Sequence, residues 1–274
     1  MLLALPFVFF LMEIGKMIEL NRIYNEDCLE GMKRIPDASV DCIICDLPYG
    51  TTACKWDTII PFELLWEQYN RVLKSNGSVV LFGSEPFSTK VRVSNLQQFK
   101  YDWIWVKPTS TGFQHAKNMP LKNYEIISIF SKGSMGHANL LGEKRMTYNP
   151  QGVVRVDKVS KNTTNKWGRI AGKRPSQKET FITEYENYPL MVLKFGLDKS
   201  KLHPTQKPVA LIEYLIKTYT NEGETILDNC MGSGTTAVAA IRTKRNFIGF
   251  ELQKEYFDIA NKRIKDEQQQ LSLF

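Results

Sequence analysis

Residues 223–263 read GETILDNCMGSGTTAVAAIRTKRNFIGFELQKEYFDIANKRI, and this stretch decides the fold. A short apolar strand at 225–228 runs into the tight turn CMGSGTT, and an alanine-rich helix begins at Thr235. A second apolar strand at 246–250 and a helix at 253–267 follow. Strands that alternate with helices indicate parallel pairing, because a parallel connection needs a crossover of about a dozen residues. The stretch therefore predicts one βαβ unit of an α/β fold.

The same alternation extends over most of the chain. Further strands are predicted at 19–24, 40–45, 78–83, 101–106 and 124–130, and further helices at 28–34, 61–74, 85–97 and 208–220. Together with the two strands above they predict a mostly parallel, seven-stranded sheet with helices on both faces. No helix is predicted between 101–106 and 124–130, so these two strands are expected to form an antiparallel hairpin at one edge of the sheet.

Composition narrows the class of protein. The 274 residues are 43% apolar, which is enough for a full core, and 36 lysines and arginines modestly outnumber 29 acidic residues. Cys42 and Cys45 have the spacing of metal ligands, but residues three apart in a strand point to opposite faces. No second close cysteine or histidine pair completes a ligand set, so the sequence predicts no metal site. Five cysteines without an evident pairing fit free thiols in a reducing, cytoplasmic setting.

The first 16 residues, MLLALPFVFFLMEIGK, form an apolar segment in front of the α/β pattern. They lack a basic start and a small-residue cleavage site, and an apolar run of about 12 residues is too short to span a bilayer. We expect an upstream extension of a domain that begins at Met17, and no membrane partner. The alternative is a helix that packs on the domain surface.

The glycine turn can be compared with three kinds of ligand site. Gly232 and Gly234 would let the backbone approach a ligand closely, and Glu251, at the end of the next strand, could accept hydrogen bonds from a ribose. A triphosphate loop would need a lysine that GSGTT lacks. Dinucleotide binding fits the spacing of Gly232, Gly234 and Ala237. S-adenosylmethionine fits as well, since Asp228 could meet its cationic amino group, and the turn alone leaves both ligands open.

A second informative stretch is ICDLPYGTTACKWD at 44–57. The apolar run Val40–Cys45 ends in an acid, Asp46, which is followed by a proline-fixed turn and the aromatic Tyr49. A carboxylate at the end of a strand can cap a turn, or it can be a catalytic group held at the edge of a sheet.

Residues 132–201 interrupt the alternation of strands and helices. The segment contains 14 lysines and arginines against six acidic residues, a surplus that exceeds the +7 of the whole chain. It also contains its own aromatic residues, and we expect a basic nucleic-acid contact module. The predicted organisation is therefore a first half of the main domain at 17–131, the insert at 132–201 and a second half at 202–274.

The order of four motifs, DLPYG, HPTQKP, DNCMGSGTT and FE, closely resembles the amino-group DNA methyltransferases. It is similar to their permuted (beta) class, in which the catalytic motif precedes the cofactor motif and a target-recognition segment lies between. The resemblance covers 18–265 and implies a Rossmann-like methyltransferase fold, the cofactor S-adenosylmethionine and double-stranded DNA as partner. The implied reaction is methyl transfer to the exocyclic N6 amine of a flipped-out adenine. Leu47 departs from the family's [D/N/S]-P-P-Y signature, which has proline there.

The resemblance also implies roles for individual residues. Asp46 and the Leu47 carbonyl would accept hydrogen bonds from the amine, Pro48 would fix the turn, and Tyr49 would stack on the base. The implied cofactor contacts are Asp27, Cys28, Asp46, His203, Thr205, Gln206, Lys207, Asp228, Gly232, Ser233, Gly234, Thr235 and Glu251. The expected DNA contacts are Lys55, Trp56, Lys107, Lys117, Lys144, Arg145, Lys166, Arg169, Lys173 and Arg174. For Asp27, a plain helix N-cap is the competing interpretation.

Several alternatives stay open at this point. An aspartate as first motif residue is typical of adenine enzymes and a serine of cytosine enzymes, yet the chemistry suits the N4 amine of cytosine as well. RNA or protein amino methylation uses related motifs, but the basic insert favours duplex DNA. A non-enzymatic DNA-binding protein would have no use for an intact Asp46–Tyr49 motif, and a dehydrogenase is supported by the glycine turn alone. A homodimer and a cognate restriction endonuclease are further partners compatible with the resemblance.

Overall fold

The computed structural model describes residues 18–51, 57–161, 180–198 and 206–271. The predicted apolar extension at 1–16 lies outside these residues. None of the helices in the described ranges is long and apolar enough to cross a membrane. The chain divides into two compact units, Pro150–Leu190 and a larger unit formed by the residues before and after it.

The strands and helices alternate as the sequence predicts, with several shifted ends. The strands are β1 Arg22–Tyr24, β2 Val40–Cys45, β3 Leu73–Gly83, β4 Phe99–Thr111, β5 Lys122–Ser131, β6 Val154–Lys161, β7 Thr180–Glu186, β8 Val192–Lys194, β9 Thr225–Asp228 and β10 Asn246–Phe250. The helices are α1 Cys28–Met32, α2 Phe62–Val72, α3 Phe87–Ser94, α4 Ala138–Leu141, α5 Val209–Tyr219, α6 Thr235–Arg242 and α7 Lys254–Leu271.

Within the described residues, eight strands form one sheet in the order β1-β10-β9-β2-β3-β5-β4-β8. The pairs from β1 to β3 are parallel, and β5 runs antiparallel to both β3 and β4. The α/β fold with a mostly parallel sheet is therefore confirmed. All six residues of strand β2 are buried, so both faces of the sheet are covered at this strand. Cys42 and Ile44 belong to one apolar core, whereas Ile43 and Cys45 belong to the core on the opposite face, as the two-residue period of a strand requires.

The edge of the sheet differs from the prediction. The hairpin of β4 and β5 is antiparallel as expected, but β8 pairs in parallel with β4 and takes the edge position. Strand β8 adds an eighth strand to the seven predicted ones. With three residues and only Leu193 buried among them, it carries too short a pattern for periodicity to detect.

The predicted insert at 132–201 is longer than the separate compact unit. Residues 132–149 and 191–198 belong to the larger unit, where the side chains of Met146 and Leu193 are buried in the core. Within Pro150–Leu190, β6 and β7 pair antiparallel and form a two-stranded ribbon. The bounds of the predicted insert were set by its surplus of basic residues, and charge does not indicate where the backbone leaves the core.

The glycine turn between β9 and α6 depends on two residues with positive φ. Gly232 has φ 54° and Gly234, the residue that precedes α6, has φ 84°. A Cβ on Gly234 would lie 2.9 Å from the Cβ and 3.0 Å from the Cα of Ala260 in α7. Gly234 is therefore required both for its backbone conformation and for the close approach of α7.

We expect Gly234→Ala to lower the free energy of unfolding by about 3 kcal/mol, from positive-φ strain plus the overlap with Ala260. Gly223→Ala is the matched control, since Gly223 has φ 82° but no described residue other than its chain neighbours has an atom within 4 Å of its Cβ position. The control should cost only about 1 kcal/mol. Chemical denaturation measures both values, and equal losses would contradict the role given to helix packing.

Candidate active site

The two informative sequence stretches meet at the carboxyl ends of neighbouring parallel strands. Cys42 pairs with Ile226 and Ile43 with Leu227, so β2 and β9 leave the sheet side by side. A cavity of about 460 Å³ opens there and is lined by residues that follow β2, β9 and β10. Ligands of open α/β sheets bind at this edge, because the loops and helix N-termini that follow the strands converge there.

The turn after β2 is held by its own side chains. The Asp46 carboxylate accepts a hydrogen bond of 2.6 Å from the Tyr49 hydroxyl, and the Tyr49 ring stacks on Phe87 at a centroid distance of 4.8 Å. Burial and the charge of Asp46 raise the pKa of Tyr49 well above 10, so the hydroxyl stays protonated and donates. The side chain of Leu47, where the family has proline, is buried in the core. The departure from the family signature therefore has a packing role.

Asp57 is a residue of this turn that sequence reasoning missed. Its carboxylate accepts hydrogen bonds of 2.8 Å from the backbone amides of both Gly50 and Thr51, and it is buried. Gly50 has φ 67°, so the backbone turns sharply where these amides point towards Asp57. The available signal was an acid a few residues after a glycine turn, a pattern too common to single out.

Lys207 joins the two halves of the chain at this turn. Its ammonium forms an ion pair with Asp46 and a second one with Glu125 of β5, at 3.4 Å from Oε2. Glu125 is in turn paired with Lys107 of β4. Lys207, predicted as a cofactor contact, lines the cavity, and its ammonium group lies against protein carboxylates, as does that of Lys107, which was predicted as a DNA contact. Glu125 was not predicted at all.

The glycine turn is fixed by Glu251 and Arg263. One carboxylate oxygen of Glu251 accepts from the Gly232 amide and the other from the Gln253 amide, each at 2.7 Å. Arg263 of α7 donates to the Ser233 carbonyl at 2.7 Å and to the Thr235 hydroxyl at 3.2 Å. Burial raises the pKa of Glu251, and hydrogen bonds from the amides of Gln253, Gly232 and Leu252 act against this rise. Arg263 is a further residue that the sequence did not reveal, since it lies 12 residues beyond the last motif.

Asp228 ends β9 inside the cavity wall. It is 4% exposed, and it accepts a hydrogen bond of 3.1 Å from the Cys230 amide. Burial raises its pKa to about 7, although hydrogen bonds from the Thr236 hydroxyl and the Cys230 amide act in the opposite direction. Such a carboxyl is poised to ionise when a cation arrives nearby.

Other predicted residues also line the cavity. Asp27 caps α1 by accepting from the amides of Leu29 and Glu30 at 2.8 and 3.2 Å, so the N-cap interpretation is confirmed, and its side chain also faces the cavity. Gln206 donates to Asp198 at 3.1 Å and lies 3.4 Å from the Ser233 hydroxyl. The remaining lining residues from the predicted set are Cys28, Asp46, Leu47, Pro48, Tyr49, Lys207, Asp228, Gly232, Ser233, Thr235 and Glu251.

Some predicted residues are not brought to the cavity. Lys117 and Lys144 are exposed and Arg145 is partly buried, and all three lie away from its lining. His203, Thr205, Lys55, Trp56, Lys166, Arg169, Lys173 and Arg174 lie outside the described residues. Within the described ranges, no group of three or more histidines, cysteines and acids could hold a metal ion.

Known proteins resemble this chain over most of its length. M1.MboII, a type II methyltransferase of Moraxella bovis, is 30% identical over 89% of this chain and 96% of its own length. The DNA adenine methyltransferase YhdJ of Escherichia coli K12 is 29% identical over 90% of this chain and 83% of its own length.

Solved structures with the same fold include a complex with S-adenosylmethionine and a DNA methyltransferase. M1.HpyAVI in complex with S-adenosylmethionine is 27% identical, with a TM-score of 0.56, over 88% of this chain and 98% of that one. The cytosine-N4-specific PvuII methyltransferase is 16% identical, with a TM-score of 0.62, over 92% of both chains. The model of the N6/N4 DNA methylase family matches residues 40–262, from the start of β2 into α7. The chain therefore belongs to the N6/N4 family of DNA methylases.

Proposed function

We propose that this chain transfers a methyl group from S-adenosylmethionine to the N6 amine of adenine in double-stranded DNA. The observation that carries the proposal is the position of Asp46, whose carboxylate stands in the same cavity as the glycine turn. Because the Asp46 motif precedes the glycine turn along the chain, the order of motifs is that of the permuted (beta) class.

The residues of the cavity fit S-adenosylmethionine, which supplies an electrophilic methyl group on a cationic sulfonium. Apart from Gly232 and its two chain neighbours, no described residue has an atom within 4 Å of the Cβ position of Gly232, so a ligand has room against that backbone. Glu251 holds the turn by accepting from backbone amides, and a carboxylate with about four acceptor sites has capacity left for a ribose hydroxyl. Asp228 offers a carboxyl to a cationic amino group. The cofactor complex of M1.HpyAVI supports the same assignment.

The chemistry needs two hydrogen-bond acceptors on the amine, because delocalisation into the ring makes its lone pair a weak nucleophile. We assign these roles to the Asp46 carboxylate and the Leu47 carbonyl, which any residue at position 47 supplies. Tyr49 is the proposed platform for the base, which must leave the duplex to bring its amine within reach. The stacked Phe87 ring and the hydroxyl bond to Asp46 hold this platform in place.

The choice of adenine is supported by Asp46 as first motif residue and by the relative YhdJ, which is named as an adenine enzyme. Methylation of the N4 amine of cytosine is the second candidate, since the PvuII enzyme has the same fold. Sequencing of DNA from expressing cells for both modified bases distinguishes them. N6-methyladenine in a fixed sequence context is expected, and N4-methylcytosine alone would contradict the choice of adenine.

We expect Asp46→Ala to lower kcat at least about a hundredfold, because one of two amine acceptors is lost. The dissociation constant for S-adenosylhomocysteine, which lacks the sulfonium charge, should change less than about threefold, a difference below 1 kcal/mol. Asp41→Asn is the matched control, since Asp41 is a buried carboxylate at the opposite end of β2. Calorimetric titration and a methyl-transfer assay provide the two constants. Equal losses of affinity and rate would place Asp46 among the cofactor contacts instead.

Cofactor affinity should depend on pH through Asp228. In the free protein its pKa is about 7, and a bound cation would lower this pKa. The bound form then carries fewer protons than the free form, so affinity should fall as pH drops below about 7, by up to about tenfold per pH unit. Titrations between pH 5.5 and 7.5 measure the slope. Asp228→Asn should bind more weakly and without this slope, and a flat profile in the unsubstituted protein would exclude the amino-group contact.

The unit Pro150–Leu190 is the proposed DNA-recognition module. Two-stranded ribbons fit the major groove of DNA, and the segment between β6 and β7 adds further lysines and arginines in the sequence. Replacing residues 150–190 by a short Gly-Ser linker should weaken DNA binding at least tenfold and reduce its salt dependence, because phosphate contacts are lost. Affinity for S-adenosylhomocysteine should be retained. DNA binding that keeps its affinity and salt slope would show that recognition lies elsewhere.

A further inference from the structure

A line of four charged side chains runs from the sheet into the cavity. Lys107 of β4 is paired with Glu125 of β5, Glu125 with Lys207, and Lys207 with Asp46 at the end of β2. The two cations and two anions alternate, so their formal charges sum to zero. The line ends on the carboxylate to which we assign the contact with the target amine.

The inner members of this line are shielded from water. Lys207 is 7% exposed and Glu125 is 8% exposed, and the Lys207 ammonium lies 5.2 Å from the centre of the Phe82 ring. A buried charge is costly unless partners compensate it. Burial alone would lower the pKa of Lys207, but Asp46 and Glu125 raise it, and Lys207 and Lys107 likewise lower the pKa of Glu125 against the effect of burial. Lys207 and Glu125 are therefore both charged at neutral pH.

The ammonium of Lys207 is shared by two carboxylates, one on a strand and the other in a turn. Glu125 belongs to a central strand, where it lies opposite Trp105 in the register of β4 and β5. Asp46 lies in the turn beyond β2, and its other oxygen is occupied by the Tyr49 hydroxyl. Glu125 thus anchors Lys207 to the sheet, and Lys207 fixes the orientation of the Asp46 carboxylate.

We propose that Glu125 is a positioning residue for methyl transfer, which acts through Lys207 to hold Asp46 as an oriented, charged acceptor. This inference rests on the proposed function and adds a residue to it. Without the charge of Glu125, the ammonium would be neutralised by Asp46 alone. Asp46 would then be drawn towards Lys207 and would accept more weakly from the amine. The cavity would also gain one positive charge, which disfavours a cationic sulfonium more than a neutral thioether.

The test compares Glu125→Gln, which removes the charge at constant shape, with the control Asp41→Asn. Asp41 is equally buried and is paired with Lys74, but it lies at the other end of β2 from Asp46. Glu125→Gln should lower kcat about ten- to a hundredfold with the KM for DNA unchanged, as expected for a misplaced catalytic group. Asp41→Asn should lower only the melting temperature. Unchanged kcat in a folded Glu125→Gln variant would overturn the proposal.

A binding measurement checks the electrostatic part without turnover. In Glu125→Gln, the affinity for S-adenosylmethionine should fall about two- to tenfold relative to that for S-adenosylhomocysteine, since only the former carries the sulfonium charge. A purely structural role would weaken both ligands equally and would contradict the proposal. If Glu125→Gln does not fold, Glu125→Asp is the second variant, since it keeps the negative charge but moves it about one methylene away from Lys207. Intermediate changes are then expected in kcat and in the ratio of the affinities for S-adenosylmethionine and S-adenosylhomocysteine.

A double-mutant cycle tests the route through Lys207. In a Lys207→Met background, Glu125→Gln should cause no further loss of kcat, because the side chain that transmits the effect is absent. An equal loss in both backgrounds would mean that Glu125 acts independently of Lys207. The unsubstituted protein separates the two levels of inference. Absence of methyl transfer there contradicts the proposed function, whereas activity that Glu125→Gln leaves unchanged contradicts the positioning role alone.

Discussion

The parallel pairing of β2 with β9 is the contact on which the active site depends. It joins segments more than 180 residues apart in sequence and ends both strands at the same edge of the sheet. Asp46 and Asp228 consequently leave the sheet as neighbours, one towards the turn with Tyr49 and the other towards the glycine turn. Both strands are fully buried, so a shift in register would move apolar side chains out of the two cores. The register that preserves the cores also preserves the site.

Four of the acids that line the cavity have different kinds of partner. Asp46 and Glu125 are balanced by lysine ammonium groups, whereas Glu251 is balanced by backbone amides. Asp228 has no such cation among its described partners, and burial raises its pKa to about 7. These four acids are thus two ion-paired acids, one acid held by backbone amides and one acid ready to respond to an incoming cation. The distribution matches a site in which one end orients a nucleophile and the other receives a charged ligand.

The sequence predicted those parts of the fold that depend on local patterns. Buried strands such as β2 and the βαβ unit around the glycine turn have clear periodicity and turn residues, so their order was predictable. The pairing of Lys207 with Asp46 and Glu125 was not, because it depends on contacts across 161 and 82 positions of the chain. Strand β8 and the bounds of the Pro150–Leu190 unit were not predicted either, for a related reason. Their position depends on where the chain rejoins the core, which composition does not encode.

The two ends of the Pro150–Leu190 unit are each fixed to the core by the residues that flank it. On one side Asn149 bonds to carbonyl oxygens at the end of α5 and just beyond, and on the other the Met191 carbonyl accepts from Ile104 of β4. Both anchors belong to the larger unit, and the described residues that form the cores and line the cavity all lie outside Pro150–Leu190. Under the recognition role proposed for this unit, exchange of the segment would change the target sequence and leave the residues of the reaction in place. Choice of target and chemistry would then belong to separate parts of the chain.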